Sequence, residues 1–303
     1  MKFHAMLPVR DEADIIGQCL RHLLTWADAV YIFDTGSVDE TWEIVQQFAA
    51  EDRRVVPLKK DTVVFSDKQV RGWIFHQARR RMREGDWFLR VDADEFYHIS
   101  PPEFVRTRMR KHETIAYRQY YDFHLTSSEV EDWEKGRETL ADRKRPIEER
   151  RRWFTPSVYT EPRLCRYRDA MQWSEGVSFP YNAGYLAVER LPIRHYPHRD
   201  PVQLASRCCL RAAMSAYPEN ASTRHWLQTE WREHIVSNNI PELRYWKAET
   251  ELPELHLRNH LPPFAKRAVQ RVVHTSLLPL LDGLRPRYRD SAYPQRILSR
   301  TFA

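Results

Sequence analysis

Within its first hundred residues the chain alternates short apolar segments with amphipathic ones, and few folds accommodate that rhythm. Phe3 to Val9 reads as a strand. Asp11 to Trp26 comes next, with Ile15, Ile16, Cys19, Leu20, Leu23 and Leu24 at helical spacing. Ala29 to Phe33 is a second strand ending at Asp34. Asp39 can cap the helix behind it, whose apolar face is Trp42, Ile44, Val45 and Phe48. Val55 to Leu58 is a third strand and Gln69 to Glu84 a third helix, with Trp73, Ile74, Ala78 and Met82 inward. Trp87 to Val91 is a fourth strand. Repeated βα units predict a mixed, mainly parallel sheet flanked by helices, because parallel neighbours need a crossover and a helix supplies it.

Three of these strands run into polar clusters. The fourth leads into Asp92, Asp94 and Glu95, and packing cannot explain three like charges so close together. A hard divalent cation can, since carboxylate oxygens are its preferred ligands. The second strand opens into Asp34-Thr35-Gly36-Ser37-Val38-Asp39-Glu40-Thr41. Gly36 permits a tight turn close to a ligand, and the helix N-terminus beyond it favours anions. The first strand ends in Pro8-Val9-Arg10-Asp11-Glu12. Ligands of open α/β sheets bind beyond the carboxyl ends of strands, so these three clusters predict one crevice.

Taken in order, Pro8-Val9-Arg10-Asp11-Glu12, Trp26-Ala27-Asp28, Asp34 to Thr41, Asp86-Trp87 and Asp92-Ala93-Asp94-Glu95-Phe96 resemble the family 2 glycosyltransferases of GT-A fold. The match spans about the first hundred residues, with one departure: Asp11 stands where the family usually has Asn. The resemblance implies a GT-A-like, Rossmann-related α/β domain that moves a sugar from a nucleotide-diphosphate sugar to an acceptor hydroxyl, with inversion, in polysaccharide or glycoconjugate synthesis. It implies that Pro8, Arg10 and Glu12 line the nucleotide pocket, Glu12 near the ribose, that Asp34 contacts the base, and that Asp92 lies near the ribose or metal, with Gly36 and Ala93 also among the nucleotide-sugar-binding residues. Asp94, with Asp92, would hold Mn²⁺ or Mg²⁺ on the diphosphate. Lys68 and Arg71 resemble a basic pair that neutralises phosphate; a solvated first helical turn explains them equally well. His195, in Arg194-His195-Tyr196-Pro197-His198, resembles an additional metal ligand of such enzymes, with His198 the second choice. Gln203 and Arg207 resemble the helix beyond it. An inverting enzyme also needs a general base. Relatives place an acidic residue, sometimes His-Glu, near the segment Trp173-Ser174-Glu175; here Glu175 is the first candidate, with Asp169 and Glu161 as rivals.

The rest of the chain is less regular. Pro101 to Lys111 is helical and Thr114 to Phe123 an aromatic strand. Residues 129–152 are densely charged and read as a solvated loop or helical excursion, or as a mobile lid over the site. Val158 to Tyr167 and Tyr185 to Leu191 are expected as antiparallel strands. Trp153, Phe154, Tyr159, Trp173 and Tyr181 could stack on a sugar or pack the core. Helices are expected at Pro201 to Tyr217, Thr223 to Val236 and from Pro262. The expected organisation is a catalytic domain over 1–200, with a nucleotide-binding half (1–100) and an acceptor half (101–200), and a helical extension over 201–303.

With 42% hydrophobic and 30% charged residues the chain suits one sizeable core under a charged surface. The net charge of +6 suits a polyanionic partner. Cys19, Cys165, Cys208 and Cys209 lack zinc spacing, and free thiols fit a reducing cytoplasm. The first residues read as a strand rather than a signal peptide, and no run is long enough to span a bilayer. From Ala265 to Leu281 an apolar stripe is interrupted by Lys266, Arg267, Arg271 and His274. Docking on the catalytic domain and peripheral contact with an anionic membrane both account for it. The competing functions are a nucleotidyltransferase, which would carry a Gly-rich basic loop instead of Arg10-Asp11-Glu12-Ala13-Asp14, and a non-catalytic glycan- or nucleotide-binding relative. No motif for specific nucleic-acid recognition is present.

Overall fold

The computed structural model describes residues 1–63, 67–173, 177–180, 183–215, 217, 230–247, 251–278 and 280, with the backbone alone at 67 and 68. The strands are β1 (Phe3–Val9), β2 (Ala29–Asp34), β3 (Val55–Lys60), β4 (Trp87–Arg90), β5 (Glu95–Tyr97), β6 (Ile115–Phe123), β7 (Trp153–Pro156), β8 (Pro162–Arg166), β9 (Leu191–His195) and β10 (Arg244–Tyr245). The helices are α1 (Ile16–Leu23), α2 (Thr41–Glu51), α3 (Asp67–Ala78), α4 (Pro101–Thr107), α5 (Ser127–Glu134), α6 (Ile147–Arg150), α7 (Pro201–Ser215) and α8 (Phe264–Val272).

β3, β2, β1 and β4 lie side by side and parallel, joined through α1, α2 and α3. On the other side of β4 the sheet turns antiparallel through β8, β6, β7 and β10. β9 pairs parallel with β6 and antiparallel with β5. The central strands are apolar on both faces because both faces are covered. Leu7, Val9, Val30, Ile32, Leu89 and Val91 belong to one buried cluster together with Ile16, Cys19, Leu20 and Leu23 of α1. Met6, Tyr31, Phe33 and Phe88 alternate to the other cluster, with Val70, Ile74 and Phe75 of α3 and Trp173.

Several expected elements move. The strand expected over Tyr185 to Leu191 begins only at Leu191, and its pairing sets His195 opposite Glu95 and Asp122. The excursion over 129–152 is the helical, largely exposed one of the two expected forms. It forms α5, a 3₁₀ turn (Leu140–Lys144) and α6, and it is bound down by buried arginines: Arg150 and Arg151 pair with Glu138 at 2.9 and 3.0 Å. Half of the helix expected over Thr223 to Val236, residues 223–229, lies outside the described residues, and the described half holds a 3₁₀ turn, Trp231–His234. Beyond residue 200 the chain returns to the sheet, since β10 extends β7 and Trp246 and Leu252 enter the main core. Cys19, Cys165 and Cys208 are buried free thiols, and Cys209 is exposed. Among the described residues no helix is long and apolar enough to cross a membrane.

Candidate active site

Register brings the three polar clusters to one rim. Val9 at the end of β1 pairs with Asp34 at the end of β2, and the Val91 amide after β4 donates to the Met6 carbonyl of β1. β8 runs against β4, so the residues before β8 reach this rim and those after it reach the opposite one. The rim surrounds a cavity of about 400 Å³ lined by Pro8, Arg10, Glu12, Thr35, Arg71, Asp92, Ala93, Asp94, Arg118, Tyr120, Glu161, Arg163, His195, Arg207 and Arg211, among others.

The acidic cluster is divided between two sets of partners. Asp92 accepts from Arg71 at 2.5 Å and from Arg163 at 2.8 Å. Burial opposes its ionisation, but the two guanidinium groups outweigh it and hold the carboxyl well below the usual range. Asp94 faces His195 Nε2 at 3.5 Å and Arg207 at 2.9 Å. His195 Nδ1 lies 2.6 Å from Asp122 Oδ1, and its ring stacks on Tyr120 with centroids 4.4 Å apart. Burial lowers the basicity of His195, yet Asp94 and Asp122 raise it to about 9. Glu95 is wholly buried, held by Arg163 and the Tyr120 hydroxyl; burial pushes it up to about 7. The expected pairing of Asp92 with Asp94 and His195 as ligands therefore does not assemble. Among the described residues no three His, Cys, Asp or Glu side chains come together to hold an ion.

Asp94 and His195 nevertheless suit a cation that also takes ligands from a phosphate. Mg²⁺-type sites commonly use one or two carboxylates and complete their shell from substrate oxygens and water, and imidazole suits Mn²⁺ and its neighbours. The Asp122–His195 contact has the form of the carboxylate that fixes a metal-binding imidazole and aims its other nitrogen. His198 does not share this position: its ring lies against His124 and His234, and burial holds it well below its ordinary value.

The wall expected to meet the nucleotide is built by the loop after β1. Asp11 has φ of +53°, a left-handed conformation that Asp and Asn tolerate better than other side chains, so the two are interchangeable there on backbone grounds. Its carboxylate accepts from the Val38 amide at 2.8 Å. Asp34 Oδ1 accepts from the amides of Gly36 and Ser37 at 2.8 and 2.6 Å, while Oδ2 is buried without a hydrogen-bond partner. Gly36 has φ of +103°, and a Cβ there would lie 2.9 Å from the Thr62 Cα. Neither Asp34 nor Gly36 lines the cavity; Thr35 between them does. Asp39 accepts from the Thr41 amide at 3.0 Å but lies one residue before the N-cap, which is Glu40, so the expected cap is displaced by one position. Arg10 donates to the Thr35 carbonyl at 3.0 Å.

Glu12 and Asp14 are both held by Arg199, at 2.5 and 2.6 Å. Sequence reasoning missed Arg199, as it missed Arg118, Arg163, Tyr120, Asp122 and Arg211. They come from strands, a helix and, for Arg199, the loop before α7, far along the chain, and no local pattern distinguishes them from surface arginines and core tyrosines. Arg71 was expected only as one of a pair, and a solvated position explained it equally well. It is buried and reaches both Asp92 and the Val91 carbonyl. The side chain of Lys68 lies outside the described residues.

The three expected bases separate. Glu161 precedes β8 and lines the cavity, paired with Arg118 at 2.9 Å and Arg163 at 3.2 Å. Asp169 comes after β8 and is corrected: its amide donates to Glu84 at 2.7 Å beside the start of β4, at the end remote from Asp92. The antiparallel course of β8 is the reason. Glu175 and the aromatic Tyr181 lie outside the described residues. Phe154 and Trp173 are core residues. Tyr159 is exposed, and the Arg118 guanidinium lies 5.3 Å from its ring.

No curated protein matches the chain. Among solved structures the chain is similar to a mannosyltransferase of Pyrobaculum calidifontis in complex with GDP-Man and Mn²⁺, at 13% identity and a TM-score of 0.40, over 70% of this chain and 61% of that one. It is also similar to mannosyl-3-phosphoglycerate synthase of Rubrobacter xylanophilus, at 17% identity and a TM-score of 0.27, over 41% of each chain. A third is glucosyl-3-phosphoglycerate synthase of Mycobacterium tuberculosis in complex with Mn²⁺, UDP and phosphoglyceric acid, at 16% identity and a TM-score of 0.23, over 43% of this chain and 45% of that one. The chain thus spans less than two thirds of the length of each. The family model of glycosyl transferase family 2 matches residues 5–162, just over half of the chain. On that match, and with a mixed α/β sheet of GT-A type whose strand ends share one rim, the chain belongs to glycosyl transferase family 2.

Proposed function

We propose that this protein transfers a sugar from a nucleotide-diphosphate sugar to an acceptor hydroxyl, with inversion, and that Asp94 and His195 hold Mn²⁺ or Mg²⁺ against the diphosphate. The observation that carries the reading is the Asp122–His195–Asp94 line in the wall of the cavity, with Nε2 and the Asp94 oxygen 3.5 Å apart. When bound, the cation supplies Lewis-acid stabilisation of the leaving diphosphate. Arg71, Arg207 and Arg211 add fixed positive charge around the same space, where it is worth more than in water because the site is partly enclosed. Asp92 keeps Arg71 and Arg163 in place. Pro8, Arg10, Glu12 and Thr35 form the donor wall, and Asp34, buried behind it, holds the turn that presents Thr35 by accepting from the Gly36 and Ser37 amides. Glu161 is the expected base that lines the cavity, and Tyr159 beside Arg118 offers a flat face to an acceptor sugar.

The test is a screen of nucleotide-sugars for release of nucleoside diphosphate with Mn²⁺, Mg²⁺ or chelator. Metal-dependent release that Asp94→Asn reduces by at least about 100-fold supports the reading, that being the scale of losing one principal electrostatic group at a transition state. Folded protein that releases nothing from any donor, with several acceptors present, would overturn it.

A further inference from the structure

The last described helix leaves an apolar strip in water. α8 continues through a π-helical turn, Val273–Leu277. One side is anchored. Arg267 donates to the Leu186 carbonyl at 3.1 Å, pairs with Glu113 at 3.3 Å and lies over the Tyr185 ring, and Leu278 is buried. The other side is bare: Phe264 is 88% exposed, Val269 64%, Val272 58% and Leu280 68%. On a helix of 3.6 residues per turn, Val269 and Val272 lie about 60° apart and Arg267 falls on the far side. Lys266 and Arg271 are exposed and flank the apolar side.

Charge names the occupant. Residues 255–281 hold Arg258, Lys266, Arg267 and Arg271 and no Asp or Glu. With Arg267 engaged by Glu113, the exposed apolar face is rimmed by Lys266 and Arg271, and such a face is complementary to an anionic bilayer surface. It is a poor match for a second copy of itself, because a two-fold contact would set the same cations against each other. We infer that α8 lies flat on an anionic lipid surface, with Val269 and Val272 at the acyl boundary and Lys266 and Arg271 among the headgroups.

The anchor also says where this contact sits. Glu113 lies two residues before β6, and Tyr120 of the cavity lies five residues along from Ile115, roughly 17 Å at strand rise. The surface therefore tethers the protein without covering the cavity, and it stands or falls independently of the proposed transfer reaction.

The experiment is flotation of the full chain with phosphatidylcholine vesicles, with and without phosphatidylglycerol. Binding is expected with the anionic vesicles only, and should weaken steeply as salt shortens the range of surface charge. Lys266→Gln with Arg271→Gln should weaken it by roughly fivefold for each cation removed. Val269→Asp with Val272→Asp should abolish it. Both valines are exposed, so the circular dichroism and melting temperature of that variant should match the parent. The inference is overturned if anionic vesicles fail to float the protein at low salt, or if the Val269→Asp/Val272→Asp variant floats as well as the parent. A concentration-dependent dimer in sedimentation velocity that the same variant dissolves would also overturn it.

Discussion

Replacing Arg199 by methionine removes the cation that ties the loop after β1 to the segment leading into α7. The guanidinium is 0% exposed and holds Glu12 at 2.5 Å and Asp14 at 2.6 and 2.9 Å. Methionine approximates its length and removes its charge, so two largely enclosed carboxylates lose their partner. Breaking a buried pair by deleting one member costs about 3–5 kcal/mol. Against a total of about 5–15 kcal/mol for a typical domain, the variant should fold but unfold at much lower urea. The slope of the transition should stay the same, because the surface exposed on unfolding is unchanged. The pH dependence has a definite sign. Burial pushes Glu12 up to about 7 while Arg199 pulls it down. Removing Arg199 lifts it further, so the deficit should be largest above about pH 7 and should shrink toward pH 5, where a protonated Glu12 needs no cation. Adding Glu12→Gln and Asp14→Asn should restore at least half of the lost stability. Urea titration followed by tryptophan fluorescence measures all of this. A loss under about 1 kcal/mol for Arg199→Met would refute the argument, as would a triple variant no more stable than the single one.

Three further outcomes are expected. Asp122→Asn should weaken Mn²⁺ binding by about 10–100-fold while leaving the urea midpoint nearly unchanged, since it alters the support of His195 rather than the fold; equal metal affinity in a titration would separate Asp122 from the site. Tyr159→Ala should raise KM for the acceptor with little change in kcat or in donor KM, because the ring is exposed beside Arg118 rather than packed in the core. His22 should make the protein acid-sensitive. Its Nε2 accepts from the Tyr97 amide at 2.9 Å, and burial holds it down at about 4. A depressed histidine contributes stability that is present above its unfolded value near 6.5 and is lost as pH falls toward 4, here up to about 3 kcal/mol. Urea midpoints across that range should flatten in His22→Gln; an unchanged profile would assign the loss to other groups.

The strand ends and turns that sequence reasoning located share a physical property: their position is set by neighbours a few places away. Asp34 and Asp92 end apolar runs, and a run of alternating or continuous apolar residues announces a strand whatever surrounds it. Gly36 was legible as a turn for the same reason, and the structure gives it a positive φ; the cap expected at Asp39 falls one residue later, at Glu40. Expectations that needed strand direction fared worse. Glu161 and Asp169 lie eight positions apart and looked equivalent as bases, but β8 is antiparallel to β4 and carries them to opposite ends of the sheet. The charged excursion over 129–152 is helical and largely exposed, as one of its expected forms was, but the sequence did not show what fixes it: Arg150 and Arg151, whose partners include Glu138 within the excursion and Asp200 outside it.

Local pattern thus determined the alternating βα scaffold, the rim to which its strands deliver acid and amide groups, and the resemblance that named the family. Only the tertiary structure decided which charges meet. Arg199 reaches Glu12 across 187 residues of chain, His195 is aimed by Asp122 through the β6–β9 register, and Arg71 and Arg163 claim the carboxylate expected beside the metal. Periodicity is short-ranged, because it reflects only which side of a helix or strand faces the core. Ion pairs are settled by three-dimensional proximity in a low-dielectric interior, and one arginine codon carries no mark of which carboxylate it will face.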